Sequence, residues 1–343
     1  MPVVIFPALL LTVFGFFNLL GINSHYAQTQ LAFIGVGLVI FLVVRAIGVR
    51  FFRANARLFY WVLIIVLAVT YIIGLEVKGS RRWLDLYFFN FQSSEILKVF
   101  FIIFLAQYLS TWRKQLNNRT AFFRLLFYFL LPTAIVFKQP DLGNALVFSA
   151  IFFTMAIFST VSKRYLVTLA IVVLILLPPG WLLLRGYQRD RIMSFINPNV
   201  DPQGIAYNMN QAMVTIGSGG FIGKGLGLGT QARLAFLPEN HTDFAYASLV
   251  EQFGFAGGLV VIGLFAWLAV ILLRRVMEIY AHKPDQASFG FFYGIGLFAY
   301  IFFQTFLNLG MNMGLFPIAG VALPFISYGG SSLVALMIGL AIW

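Results

Sequence analysis

Phe236-Leu-Pro-Glu-Asn-His-Thr-Asp-Phe244 opens a stretch that continues Ala-Tyr-Ala-Ser-Leu-Val-Glu-Gln-Phe-Gly-Phe-Ala and stays apolar as far as Leu273. A helix needs about 20 mainly apolar residues to cross the hydrocarbon of a bilayer, and the run 242–273 exceeds that. At its mouth polar and ionisable groups crowd more tightly than anywhere else in the chain, which places Asp243 where a membrane helix meets water. The stretch therefore sets the fold class and marks where chemistry is to be sought.

Further apolar runs lie at 3–20, 30–48, 58–75, 94–111, 120–138, 142–160, 165–184, 287–313 and 321–343, separated by polar or Gly/Pro punctuation. Residues are 61% hydrophobic and only 10% charged, too little polar surface for a soluble domain. Sheet-like alternation is absent, which argues for bundled helices and against a barrel. The expectation is an all-α polytopic membrane protein: a single membrane domain over 1–343 of about ten helices, with a long extracytoplasmic loop, about 185–241, between helices 7 and 8. The first run lacks a basic start and a small-residue cleavage site and reads as a retained helix. With no cysteine, disulfides, thiol nucleophiles and thiolate metal sites are excluded.

The net charge of +12 is explained by topology. One set of loops and adjoining helix ends carries Arg45, Arg50, Arg53, Arg57, Arg113, Lys114, Arg119, Arg124, Lys163, Arg164, Arg274, Arg275 and Lys283, against Glu278 and Asp285 alone. Short basic loops stay cytoplasmic. Both termini are then cytoplasmic, the loops with Arg81–Arg82, Asp141, 185–241 and 314–320 lie outside, and no nucleic-acid partner is implied.

Four clusters carry the remaining information. In Lys78-Gly-Ser-Arg-Arg-Trp-Leu-Asp85 and Phe91-Gln-Ser-Ser-Glu-Ile-Leu-Lys98, Glu95 and Lys98 share a helix face and offset each other's cost in hydrocarbon. Arg81 and Arg82 beside Trp83 either bind a phosphate or anchor the helix at the interface. In Lys138-Gln-Pro-Asp-Leu-Gly143, Asp141 reads as a helix start.

The third cluster is the long loop, with Tyr187-Gln-Arg-Asp-Arg-Ile192, Asn197-Pro-Asn-Val-Asp-Pro202 and Gly217-Ser-Gly-Gly-Phe-Ile-Gly-Lys-Gly-Leu-Gly-Leu-Gly-Thr-Gln231. A nucleotide loop is excluded because Gly225 follows Lys224 where Ser or Thr is required. The segment is left as a mobile or tightly turned loop whose amides either cradle a diphosphate or fold against the bundle. Thr242 and Asp243 are both good helix starters, so Asp243 is either a cap or a catalytic acid. Glu251 lies about 12 Å deeper if helical, too far for a carboxylate pair. The fourth cluster, Pro317-Ile-Ala-Gly-Val-Ala-Leu-Pro-Phe-Ile-Ser-Tyr-Gly-Gly-Ser-Ser332, has a proline able to open a helix at Pro324 and reads as packing behind an outer cavity.

In this order the clusters resemble the SEDS family (shape, elongation, division and sporulation), of which RodA and FtsW are familiar members. The resemblance covers about 78–333, and Gly229-Thr-Gln with Phe236-Leu-Pro-Glu is more like RodA. It implies a peptidoglycan glycosyltransferase that polymerises lipid II on the outer face of the bacterial cytoplasmic membrane, releasing undecaprenyl diphosphate, in cell elongation. It also implies Asp243 as the essential acid, Glu95–Lys98 as a structural ion pair, and a class B penicillin-binding protein and the elongation machinery as partners.

Arg82, Arg191 and Lys224, or a divalent cation (Mg or Mn) anchored on Asp243, would compensate the leaving charge. Glu239, His241 and Thr242 would join the substrate site. Ser93 stands where many members have proline, and Gln252 where a second glutamate often follows Glu251. The competing readings are a lipid II flippase, which needs polar groups through both leaflets, and a non-catalytic scaffold for the transpeptidase.

Overall fold

In a computed structural model, residues 2–77, 80–85, 90–197, 204–282 and 288–343 are described. Lys78, the segment 198–202, Lys283 and Asp285 lie outside them. The helices are α1 (Pro2–Ile22), α2 (Ser24–Ile47), α3 (Val49–Ala54), α4 (Ala56–Ile73), α5 (Ser93–Thr111), α6 (Arg119–Lys138), α7 (Leu142–Ile157) and α8 (Lys163–Gly180). They continue with α9 (Gly186–Ile196), α10 (Ile205–Ser218), α11 (Thr230–Arg233), α12 (Ala245–His282), α13 (Ser288–Asn312) and α14 (Gly330–Ile342). Among the described residues seven, α1, α2, α4, α5, α6, α12 and α13, are long and apolar enough to cross a membrane, while α7 and α14 are shorter apolar helices. The chain is an all-α polytopic membrane protein.

Three expectations need correction. The last apolar run is helical only from Gly330, because 317–329 spends its backbone groups on side chains and on the 241–243 segment. The 185–241 stretch is not a simple loop but carries α9, α10 and α11. A small antiparallel sheet, β1 (Leu75–Val77), β2 (Ser80–Asp85) and β3 (Asn90–Gln92), stands between α4 and α5 and pairs Glu76 with Arg81.

Two compact units are present. One comprises Val44–Arg189, Leu273–Tyr300 and Ala341–Trp343. Here α5 is enclosed, with Phe101, Ile102 and Leu105 inaccessible. Pro132 inside α6 cannot donate to the carbonyl of Tyr128 one turn back, and the Tyr60 hydroxyl makes that bond instead, at 3.1 Å. Asp141 caps α7 by accepting from the Asn144 amide, as the sequence suggested. Beside it, Lys98 Nζ donates to Glu95 Oε1 at 2.7 Å and to Asn144 Oδ1 at 2.8 Å, and the Tyr300 hydroxyl donates to Glu95 Oε2. Lys98 also sits 4.7 Å from the centre of the Tyr300 ring. The pair is fully buried.

The other unit comprises Met1–Val43, Asp190–Leu272 and Ile301–Leu340. Its main irregularity is a break in α12 at Gly254, with φ 72° and ψ −177°, a conformation essentially reserved for glycine. The backbone groups freed there pair with the glycine-rich segment. Lys224 N–H donates to Glu251 O at 2.9 Å and Gly225 N–H to Gln252 O at 3.0 Å. In return, Phe255 and Ala256 N–H donate to Gly220 O and Phe221 O. Of the two fates left open for this segment, folding against the bundle is the observed one.

Replacing Lys98 by Met is expected to leave the Glu95 carboxyl without its lysine in an apolar interior, costing about 3–5 kcal/mol. The double change Glu95→Leu with Lys98→Met is expected to recover much of that loss. Thermal unfolding in detergent compares them; a Lys98→Met protein as stable as the parent would show that the pair contributes nothing.

Candidate functional site

The segment 239–243 is a turn stapled from several sides. Glu239 adopts a left-handed φ of 52°, and its carbonyl accepts from the Thr242 and Phe244 amides. The Thr242 hydroxyl turns back to Glu239 Oε2 at 2.8 Å. Asn240 Nδ2 donates to Ala232 O, and Asn240 O accepts from the Ser248 hydroxyl. His241 stacks on Tyr26 with ring centres 4.3 Å apart, and its carbonyl accepts from the Tyr328 amide at 2.8 Å.

Asp243 stands just before α12. Its carbonyl accepts from Asn308 Nδ2 and Asn312 Nδ2, each at 3.0 Å. Asn312 Oδ1 accepts from the Ala247 amide, so a first-turn donor of α12 is capped from α13. Asn308 Nδ2 also donates to Val321 O at 2.7 Å, and the Ser327 hydroxyl donates to Thr242 O at 2.6 Å. The 317–329 segment is thereby fastened directly to the Asp243 turn, a closer role than packing behind it. The signal for this clamp was two asparagines four apart on one face of an apolar helix, which the sequence reading passed over.

Gly320 shows what lies next to the carboxylate. A Cβ built on it would be 3.1 Å from Arg191 Nη1 and 3.6 Å from Asp243 Oδ2, so the guanidinium and the carboxylate flank the same glycine. Gly320 has φ 67°. Arg191, on α9, also donates through Nη1 to Ile318 O at 3.2 Å. Both side chains are partly exposed, and the pair places a proton acceptor beside a fixed positive charge.

Lys224 is differently placed. Its Nζ donates to Glu251 Oε1 at 2.7 Å and to the Thr230 hydroxyl at 2.8 Å. Glu251 is wholly buried and also accepts from the Gln231 and Ala232 amides. Amides that were candidates for a diphosphate cradle (224, 225 and 231) are thus engaged inside the protein. Gln252 donates to Asn18 O and Oδ1 and accepts from the Gly227 amide; a glutamate there would have no proton to donate when ionised.

Arg82, in the other unit, hydrogen-bonds the carbonyl of Pro140 and the Tyr187 hydroxyl and lies 3.7 Å from Asp141. Among the described residues no group of three or more His, Asp or Glu is placed to hold a metal ion. Asp243 would offer a cation one carboxylate beside a guanidinium, so the described residues alone do not form a metal cage.

The model of the family described as "Cell cycle protein", covering FtsW, RodA and SpoVE, matches residues 3–343. The chain is 36% identical over 318 residues to peptidoglycan glycosyltransferase MrdB of Escherichia coli K12, covering 92% of this chain and 84% of that protein. It is 32% identical over 328 residues to the probable peptidoglycan glycosyltransferase FtsW of Thiomicrospira cyclica, covering 94% and 82%. In structure it is similar to a chain of a peptidoglycan synthase complex described as coordinating polymerization and crosslinking, with TM-score 0.82, 26% identity and coverage of 98% and 94%. The crystal structure of Thermus thermophilus RodA shares the fold at TM-score 0.73, with 23% identity and coverage of 98% and 93%. The chain belongs to the FtsW/RodA/SpoVE family.

Proposed function

We propose that this protein polymerises lipid II into glycan strands as a peptidoglycan glycosyltransferase, with Asp243 as the base. The observation that carries the assignment of the base is the Asp243 carboxylate flanking Gly320 together with Arg191, on a backbone clamped by Asn308 and Asn312. The acceptor's GlcNAc 4-hydroxyl attacks C1 of the donor's MurNAc. Its proton passes to Asp243, a bond forms from O4 to C1, and the C1–O bond to undecaprenyl diphosphate breaks with its electron pair. The leaving group is already stable as an anion, so it needs positive charge more than a proton, and Arg191, beside the carboxylate, is a fixed source.

Glu239, His241 and Thr242 shape the turn that presents the base. Lys224 fastens the glycine-rich segment to Glu251 and contributes through that scaffold. Arg82, within its own unit, would offer a guanidinium to a phosphate. Of these residues Asp243 would hold a divalent cation, which would supply further positive charge against the diphosphate.

In this reading the single membrane domain lies in the bacterial cytoplasmic membrane with both termini cytoplasmic, as the basic helix ends favour. The 185–241 segment and Asp243 then face outward, where lipid II is consumed. The similar synthase complex supports a class B penicillin-binding protein as partner, and the likeness to RodA supports a setting in the elongation machinery.

Glycan-strand formation from purified lipid II, with the partner transpeptidase present, tests the base. Asp243→Asn and Asp243→Ala are each expected to lose at least a hundredfold in rate, within the usual range for a missing general base, while remaining folded and partner-bound. Parent-like rates would remove Asp243 from the mechanism. If the parent itself makes no polymer but moves lipid II across vesicles, the flippase reading replaces this one.

Gly320→Ala places a methyl against Arg191 in a backbone conformation that alanine disfavours. Displacing the charged neighbours is expected to slow polymerisation about tenfold or more with little change in melting temperature, because small misplacements are costly at a reacting centre. An unchanged rate would show that Gly320 does not set their spacing.

A further inference from the structure

The glycine-rich segment 219–229 arranges its side chains in the reverse of the order expected of a loop in water. Its only polar side chain, Lys224, turns inward to the buried carboxylate of Glu251 at 2.7 Å. Its large apolar side chains turn outward: Phe221 is 69% exposed, Ile222 83% and Leu228 63%. We infer that this segment is inserted among the acyl chains of one bilayer leaflet, with Phe221 and Ile222 as its lipid contacts.

Scattered apolar side chains on a surface need no explanation. Here they are neighbours, and the one group able to bond water faces the protein. Water gives no reason for that arrangement, whereas hydrocarbon demands it.

The backbone meets the same demand, since irregular backbone at membrane depth persists only where its polar groups are bonded. The amides of Lys224 and Gly225 donate to the carbonyls of Glu251 and Gln252, and that of Gly227 donates to Gln252 Oε1. Gly220 O and Phe221 O accept from the amides of Phe255 and Ala256. A Cβ on Gly223 would collide with the Gln252 carbonyl, so the chain lies flush against α12 at that point.

Position commits the surface to lipid. Beyond the break at Gly254, the arm Phe255–Leu272 carries no charged residue. It is about 27 Å long, close to the thickness of the hydrocarbon, so it can cross the bilayer by itself. That puts the break, and the segment bonded to it, at one edge of the hydrocarbon. The exposed side of the arm runs on into the segment. The Phe221 and Phe255 rings are 6.3 Å apart, and Phe255 and Leu259, one turn further along, are half-exposed. A protein-docking face would carry a polar rim around its apolar centre, but the one polar side chain of the segment is turned away. The insertion depends on neither the activity nor the orientation proposed above.

Because the chain has no cysteine, the whole protein accepts a single fluorescent label. Phe221→Cys and Ile222→Cys are labelled with bimane and reconstituted in phosphatidylcholine vesicles. They are quenched either by phosphatidylcholine bearing a nitroxide on an acyl chain or by iodide on both sides of the vesicle. Leu259→Cys on the arm and Ser24→Cys in the exposed α1–α2 turn are the references. Both labels are expected to be quenched by the nitroxide lipid as strongly as the one at Leu259. Iodide is expected to quench them at least about fivefold less than the label at Ser24, because an anion does not follow them into hydrocarbon. Iodide quenching of either label equal to that at Ser24 would place the segment in water and overturn the insertion. Labels reached by neither quencher, or shielded from iodide only when a partner transpeptidase is added, would make the surface a protein contact and overturn the lipid assignment.

Discussion

A backbone that leaves the helix inside an apolar protein must find a partner for every amide and carbonyl it frees, because water is not there to supply one. That constraint organises the unit that carries Asp243. Among the described residues its irregular segments include 219–229, 239–243 and 313–329, and each is tied by side chains, most of them projecting from helices. Asn308 and Asn312 hold the carbonyl of Asp243, Gln304 holds that of Ala322, Asn18 holds that of Ala245, and Ser327 holds that of Thr242. The polar residues buried in these apolar helices are therefore the fixings of the site, and the carboxylate stands where several of them meet.

Charge is handled by the same economy. Glu251 and Glu95 are both fully buried, and each is compensated by a lysine at 2.7 Å together with further donors. Such pairs add little stability compared with an apolar replacement, but losing one partner is severe. Their value is geometric. Glu251 gathers the lysine, a hydroxyl and two amides around one carboxylate, so the glycine-rich segment takes a single course over α12. The same course continues through Ala232 and Asn240 to the turn that carries Asp243.

Much of this was legible in the sequence, for physical reasons that differ by region. Apolar runs of about twenty residues can be little else than membrane helices, so α1, α2, α4, α5, α6, α12 and α13 were readable from composition. The pairing of Glu95 with Lys98 and the capping by Asp141 were readable because their partners are three residues away. What escaped was non-local. Lys224 meets a carboxylate 27 residues on, and Asn308 reaches a carbonyl 65 residues back, and no local pattern announces such distances. The segment 321–329 looked like part of a helix because it is apolar; its backbone is satisfied from outside, which hydropathy does not register. Arg191 was among several candidate cations, and only the fold sets it, with Asp243, against Gly320.

The break at Gly254 has a mechanical meaning. A continuous helix of 38 residues would transmit bending and torque along its whole length to the carboxylate at its mouth. Here the axial hydrogen-bond ladder stops at Gly254, and the strain path turns sideways into 220–225. The short arm that follows Asp243 is thus anchored to its neighbours and not to the long arm beyond. A tilt of that long arm would meet the joint at Gly254 before it reached the turn that carries Asp243.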